Sequence, residues 1–421
     1  MISTLLSLAS KSLTNRLLTV GLTVFAISFS VFLLLGVEKI RTEAKVSFAN
    51  TISGTDLVVG ARSGSVQLLL YSVFRIGNAT NNVSWKSYQT ISNLKGVAWT
   101  IPISLGDSHR GFRVLGTTSN YFKHYRYGSK KHLRFESGKP FEDVFDAVLG
   151  HEVAERLGYK LNDKIVLSHG IGKIAGTDHA DKPFRISGVL AKTGTPLDRT
   201  IHVSLQGIEA IHIDWRSGAP IPGTSVSAKE IRQLELQPKS ITAFLVGLKS
   251  KLSIFKIQRR INQFRGEPLL AILPGVALQE LWDLMSTAEA ALGLISVFVV
   301  VVSLLVMLTM LFSSLNERRR EMAILRSVGA RLSHIFILLV VEAGLIVLSG
   351  ILVGLLMLYA ALHFAQPILE AEFGLFPAIQ ALSTHEILIL AILFVSGLGL
   401  SAIPAYRAYR QSLMDGMNVH C

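Results

Sequence analysis

Apolar residues gather in four long runs at the two ends of the chain, and between the first and second run the pattern breaks into short apolar stretches separated by polar residues. Leu17–Gly36 (LLTVGLTVFAISFSVFLLLG) carries no charge, Ala291–Leu315 is a second uncharged run, and residues 336–362 hold a third, uncharged from Ala343 to Leu362. The fourth, Ile387–Ile403, is shorter and stops at Pro404. A helix crossing hydrocarbon needs roughly 20 apolar residues, so each run predicts a membrane span, with His385 or Tyr406 completing the fourth at the interface. The first run is too long for the apolar core of a secretory signal, and no small-residue cleavage site follows it. It reads as a permanent anchor.

Residues 37–290 follow other periods. Val37, Ile40, Ala44 and Phe48 recur at helical spacing, as do Leu278, Leu281, Met285 and Ala288, which predicts two amphipathic stalk helices flanking the insertion. Between them, strands are expected at Asp56–Val59, Val97–Ser104, Phe112–Leu115, Ala147–Leu149, Lys164–Ser168, Phe184–Val189, Thr200–Val203 and Thr242–Leu248. Helices are expected at Glu152–Leu157, stopped by Gly158, and at Leu252–Phe264. The fold class is thus a membrane protein of four transmembrane α-helices, with a large α+β extracytoplasmic domain between the first and second. The apolar Val66–Phe74 run reads as a buried hairpin, with a lipid or lipoprotein contact as the alternative.

Composition agrees: half of the residues are hydrophobic and 17% charged, too oily for one soluble domain. Lys11, Arg16, Arg318, Arg319, Arg320, Arg326, Arg331, Arg407 and Arg410 all fall on one side of the four spans, whereas His363–Glu386 has Glu370, Glu372 and Glu386 and no basic residue. Both termini are therefore expected in the cytoplasm. Most of the surplus of 13 positive charges lies in the external insertion, which suits anionic membrane lipid or an acidic ligand and excludes a cytoplasmic nucleic acid. The lone cysteine, Cys421, allows neither an internal disulfide nor a thiolate zinc site within one chain.

Chemistry is sparse. There is no GxSxG elbow, HExxH helix or GxxxxGK[ST] phosphate loop, so no catalytic, cofactor-binding or metal-binding residue is assigned. Glu142, Asp143 and Asp146 are paired carboxylates on a turn and read as a solvated face. The nearest approach to a ligand cluster is His169 with His179 and Asp178 or Asp181, in SHGIGKIAGTDHADKPF; the Gly-rich stretch reads as a solvated loop, with a weak transition-metal site as the alternative.

The loop after the second span, Asn316–Arg331, is rich in helix formers, with Glu317 and Glu321 near its start and Gly329 placed to end a helix. Met322, Leu325 and Val328 share one face, which suits either a lipid surface or a docked cytoplasmic partner. ERRREMAILRSVGAR here resembles the signature of the MacB/FtsX-type ABC transporter permeases, the mechanotransmission group. Glu342, PAYRAYR at Pro404–Arg410, FESGKPF at Phe135–Phe141 and AVLGHEVAERLGYKLNDKIVL at Ala147–Leu167 are similar to the same family. The resemblance implies a bacterial inner-membrane permease, paired with a second copy or a related chain and bound to a cytoplasmic ABC ATPase. ATP and Mg would sit on that ATPase, and this chain would bind no cofactor. Arg318, Arg319, Arg320, Glu321, Met322, Leu325, Arg326, Val328 and Gly329 would form the ATPase-coupling helix, and Glu342 is either a transmission residue or a structural one that snorkels or caps near the cytoplasmic interface. The task implied is export or lipoprotein or peptide handling, with a periplasmic adaptor or lipoprotein as a further partner. DLVVGARSGSVQLLLYSVFRIGNATNNVS at Asp56–Ser84 departs from the macrolide exporters, so their substrate is not transferred. The alternatives are a signalling permease that regulates a periplasmic enzyme, and a receptor without an ATPase.

Overall fold

The computed structural model describes residues 14, 16–170, 179–216, 219–220, 226–317, 324, 327, 329–368 and 381–414. Ala44–Met285 folds as one compact unit, and the described residues up to Glu43 and from Ser286 onward supply the other.

Among the described residues four helices are long and apolar enough to cross a membrane: Leu17–Thr51, Pro274–Glu317, Leu332–Ile368 and Thr384–Met414. Among them Ile27, Val31, Leu35, Met307, Ala343, Ile346, Val347 and Leu393 form a shared apolar core. Water drives none of this association in lipid, so close approach through small residues matters more than burial. The first helix lies against GILVG of the third. A Cβ on Gly350 would fall 2.6 Å from Ile27 Cγ2, and one on Gly354 would fall 2.7 Å from the Ser28 carbonyl oxygen. Gly397 of the fourth helix meets Val347 in the same way, at 2.7 Å. Ser30 Oγ, buried, is 2.9 Å from the Ala26 carbonyl and 3.1 Å from that of Val299 on the second helix. The fourth helix does not stop at Pro404 but runs through it to Met414. Proline removes one backbone donor, a loss that membrane helices tolerate where neighbours and side chains satisfy the freed groups.

The unit Ala44–Met285 is α+β. Eleven strands make one mixed sheet: β1 (Leu57–Ala61), β2 (Val97–His109), β3 (Phe112–Thr117), β4 (Phe135–Gly138), β5 (Asp146–Leu149), β6 (Lys164–Ile165), β7 (Ser168–His169), β8 (Phe184–Leu190), β9 (Thr200–Ser204), β10 (Ala243–Leu248) and β11 (Leu269–Ile272). The order is β11-β1-β10-β2-β3-β9-β5-β8-β4, with β7 paired to β2 and β6 to β8. Only β3–β9 and β5–β8 are parallel. Side chains alternate between two buried faces. Val58, Ala243, Leu245 and Val148 enter one core, while Leu57, Val59, Phe244 and Val246 enter a second and Ala147, Leu149, Ile201 and Val203 a third. Burial on both faces explains why these strands read as continuous apolar runs.

Two expectations are corrected here. Val66–Phe74 is not a hairpin: Ser65–Leu69 is α-helical and continues as a π-turn, Leu70–Phe74, with Leu68, Leu69, Tyr71 and Phe74 in the core. The run has no Gly, Asn or Asp to turn a hairpin, and it packs on β1 so closely that a Cβ at Gly60 would fall 2.6 Å from Leu68 Cδ1. The expected strand Lys164–Ser168 is broken into β6 and β7, which pair with different neighbours. Of the stalk positions inside this unit, Phe48 lies tilted against Phe74, with ring centroids 4.4 Å apart, and edge-on to Trp282 at 5.5 Å.

Candidate functional site

Arg318, Arg319, Arg320, Glu321, Met322, Leu325, Arg326 and Val328 lie outside the described residues. Between them Ile324 is helical and exposed, and Ser327 Oγ donates to the Ile324 carbonyl at 2.8 Å. Gly329 has φ +96°, a conformation that L side chains rarely adopt.

Glu342, in contrast, is among the described residues. It is 2% exposed on the third long helix, between buried Leu339, Ala343 and Ile346. An ionisable group inside a membrane bundle is costly and marks function more often than packing. A second polar feature was not foreseen from sequence: Lys39 and Glu386, both buried, pair at 3.6 Å, and Lys39 Nζ lies 5.9 Å from the centre of the Tyr359 ring. The pair joins the first, third and fourth helices. Glu386 also accepts from the Ser383 backbone N–H at 2.6 Å, while the Ser383 hydroxyl accepts from the Glu386 N–H at 3.2 Å. Ser-x-x-Glu ahead of an apolar run is the signal that could have found this reciprocal box.

In the α+β unit the carboxylates of the Glu142–Asp146 turn are committed to structure. Asp146, buried, accepts from the backbone N–H groups of Glu142 and Asp143 and from Arg185 at 2.8 Å. Asp143 accepts from Arg232, and that hydrogen bond holds its carboxyl below the usual range.

The stretch expected as a solvated loop ends in the interior. His179 and Lys182 have no exposed surface. Lys182 Nζ donates to both oxygens of buried Asp214 at 2.6 Å and lies 3.2 Å from Asp181. Asp178 lies outside the described residues. The partners that gather around His169 and His179 come from distant sequence: Asp107 and His212. Asp107 sits where the β2–β3 register shifts between Leu105 and Ser108, an irregularity of the kind that re-aims a side chain, and pairs in register with His169 of β7. His212 ends the helix Leu205–His212, which starts where the Ser204 hydroxyl accepts from the Gly207 N–H at 2.9 Å. Gly207 is required there, because a Cβ would meet the Val144 carbonyl oxygen at 2.6 Å.

Within the cluster His169 Nδ1 is 3.2 Å from Asp107 Oδ1 and 3.3 Å from His212 Nε2, and the last two atoms are 3.6 Å apart. The His179 ring stands 5.0 Å from that of His212, at 80°. The hydrogen bond to Asp107 raises the pKa of His169, whereas burial, and then the charge on His212, push His179 down to about 4. Elsewhere in the core, burial and then Arg75 push His202 down to about 3. Unfolded imidazoles titrate near ~6.5, so the unfolded chain takes up protons at His179 and His202 that the folded one refuses. Their contribution to stability is complete above ~6.5 and is lost as pH falls toward 4, by up to about 1.4 kcal/mol per pH unit for each group. His169 acts in the opposite sense, contributing below ~6.5 and losing that contribution as pH rises through its raised pKa. Two groups outweigh one. The urea midpoint should therefore be lower at pH 5 than at pH 7.5, and His202→Phe should flatten the difference.

A four-helix membrane protein with an α+β domain between its first two helices is the class that fold and sequence define. Two family models match it: the MacB-like periplasmic core domain over residues 18–264 and the FtsX-like permease C-terminal over residues 293–413. The chain belongs to the MacB/FtsX-type ABC transporter permease family. It is 25% identical over 291 residues to the uncharacterized ABC transporter permease MJ1507 of Methanocaldococcus jannaschii, a match that covers 65% of this chain and 63%, under two thirds, of that relative. Among solved structures it is similar to the periplasmic region of MacB from Actinobacillus actinomycetemcomitans, at 11% identity and TM-score 0.36, covering 55% of this chain and 95% of that one. It is also similar to the extracellular domain of the noncanonic ABC-type transporter YknZ from Gram-positive bacteria, at 13% identity and TM-score 0.31, covering 52% and 99%.

Proposed function

We propose that this chain is the membrane subunit of an ABC complex in which a separate cytoplasmic ATPase moves the α+β domain, with export or the handling of lipoproteins or peptides as the task. Both termini face the cytoplasm in this reading, and the α+β domain lies on the other side. A second permease copy, or a related chain, completes the complex. The observation that carries the reading is helix length. The two helices that flank the α+β domain span 35 and 44 residues, well beyond the roughly 20 that cross hydrocarbon, and so suit stalks that carry motion out of the bilayer. The membrane segments hold few polar side chains, and buried Lys39 and Glu386 pair with each other and Ser30 with backbone, which suits transmission better than a lined channel.

The ATPase would dock on Arg318–Gly329 through the small apolar face of Met322, Leu325 and Val328. Leu325→Glu would place a charge in that contact. Tagged chain purified in mild detergent from its native host should bring down a stoichiometric ATPase with ATP hydrolysis, and Leu325→Glu should remove both while the chain itself remains folded. Retention of the ATPase by the variant rejects the docking assignment. A wild-type chain that purifies alone, with no hydrolysis, favours an ATPase-independent receptor instead.

A further inference from the structure

We propose that Asp107, His169, His179 and His212 form a binding site for a transition-metal ion of the Zn²⁺ type in the α+β domain. The inference is independent of the ATPase-coupled function.

The donor set comes first. One ligand atom each from Asp107, His179 and His212 lie within 4.8 Å of one another, and His169 Nδ1 adds a fourth beside Asp107 and His212. Three imidazoles and one carboxylate suit Zn²⁺ and its neighbours in the first transition row, and no thiolate is needed. The spacing comes second. Ligands at about 2.0–2.1 Å from a tetrahedral ion stand roughly 3.3 Å apart along each edge. The three edges between His169 Nδ1, Asp107 Oδ1 and His212 Nε2 are 3.2, 3.3 and 3.6 Å, so an ion fits against that triangle with little movement, and His179, with a ligand atom within 4.8 Å of those of Asp107 and His212, would move in to complete the set.

The surroundings are those of a ligand set. His212 Nδ1 lies 2.8 Å from the Ile208 carbonyl, and donation there leaves Nε2 as a lone pair turned toward Asp107 and His169. This outer-shell bond is the device that fixes a ligating tautomer. His212 closes a helix, whose C-terminal end favours positive charge. Lys182, a buried cation nearby, is already matched by Asp214 and Asp181, so its repulsion of a bound ion is offset. Asp107 and His179 are buried while His169 is partly exposed, which gives an entry from one side. A bound ion would tie β2, β7, the His179 segment and the helix Leu205–His212 together, and so link the rigidity of the domain to metal supply.

The test uses the full chain in detergent, without a histidine tag, stripped by chelator and titrated with Co²⁺, whose visible absorption distinguishes four-coordinate from six-coordinate binding. The expected result is about one Co²⁺ per chain with tetrahedral intensity, displaced by Zn²⁺. His179→Ala and His212→Ala should each weaken binding by more than the roughly 10–100-fold typical of losing an outer-shell partner. Tryptophan emission checks that each variant is folded. Should either variant fail that check, His169→Gln, at a partly exposed position, decides in its place by the same loss. No uptake by the wild type at about 10 µM free metal overturns the proposal. So does uptake that the folded variants leave unchanged.

Discussion

Asp214→Ala should destabilise the α+β domain by about 3 kcal/mol or more, the cost of leaving a buried charge without its main partner. The reason is local. Lys182 Nζ has no exposed surface and two hydrogen bonds of 2.6 Å to Asp214, so without that carboxylate Asp181, half-exposed at 3.2 Å, is the one ion-pair partner left to the ammonium among the described residues. Removing both charges is a different matter, because a buried ion pair owes much of its attraction to repaying its own desolvation. Lys182→Met combined with Asp214→Leu should therefore recover most of the lost stability. The measurement is convenient in the full chain. All four tryptophans, Trp85, Trp99, Trp215 and Trp282, lie in Ala44–Met285, so urea unfolding followed by tryptophan emission reports this domain and not the membrane helices. A single variant as stable as the parent would show that the pair contributes nothing.

The same residues show what a single sequence can carry. The four spans and the strands from Val97, Phe112, Phe184 and Thr200 were legible because each depends on local period and composition, and a doubly buried strand is a continuous apolar run whatever it pairs with. Gly158 was legible as a helix stop, and it has φ +66°. The edge strand β11, only four residues long and next to Pro274, was too short to separate from its surroundings. The metal-type cluster was half legible. His169 and His179 share one segment, but Asp107 is 62 residues before His169, and His212 is 43 residues after it. No spacing rule joins them. The register of β7 on β2 brings Asp107 to His169, and tertiary packing alone brings in the end of a later helix. Lys182 was missed for a related reason: a lysine in a stretch of Gly, Asp and His reads as solvated unless its buried carboxylate, 32 residues away, is already known. The Lys39–Glu386 pair was missed because both residues stand at the polar ends of apolar runs, where charge is expected and carries no signal.

Gly354→Leu should separate the first membrane helix from the third. At Gly354 the ideal Cβ lies 2.7 Å from the Ser28 carbonyl oxygen and 2.8 Å from Val31 Cβ, so even one added carbon forces a backbone to move, and a leucine adds three more. Overpacking of this kind costs typically about 1–3 kcal/mol in a core whose side chains can shift. Here the first neighbour is main chain, and the displaced helix also carries the Ser30 bond to Val299 and the Lys39 pair with Glu386, so the upper end is expected. Gly21→Leu is the control, because Gly21 lies on the same first helix with nothing within 4 Å of its Cβ position. After graded heating in detergent, the soluble monodisperse fraction of Gly354→Leu should be lost at a markedly lower temperature than that of the parent, and Gly21→Leu should match the parent. Gly350→Leu should behave like Gly354→Leu, since its Cβ would fall 2.6 Å from Ile27 Cγ2 and 2.7 Å from Ile27 Cβ, an atom that no rotamer change moves away. Equal behaviour of all three variants would mean that the GILVG face is not where the first helix packs.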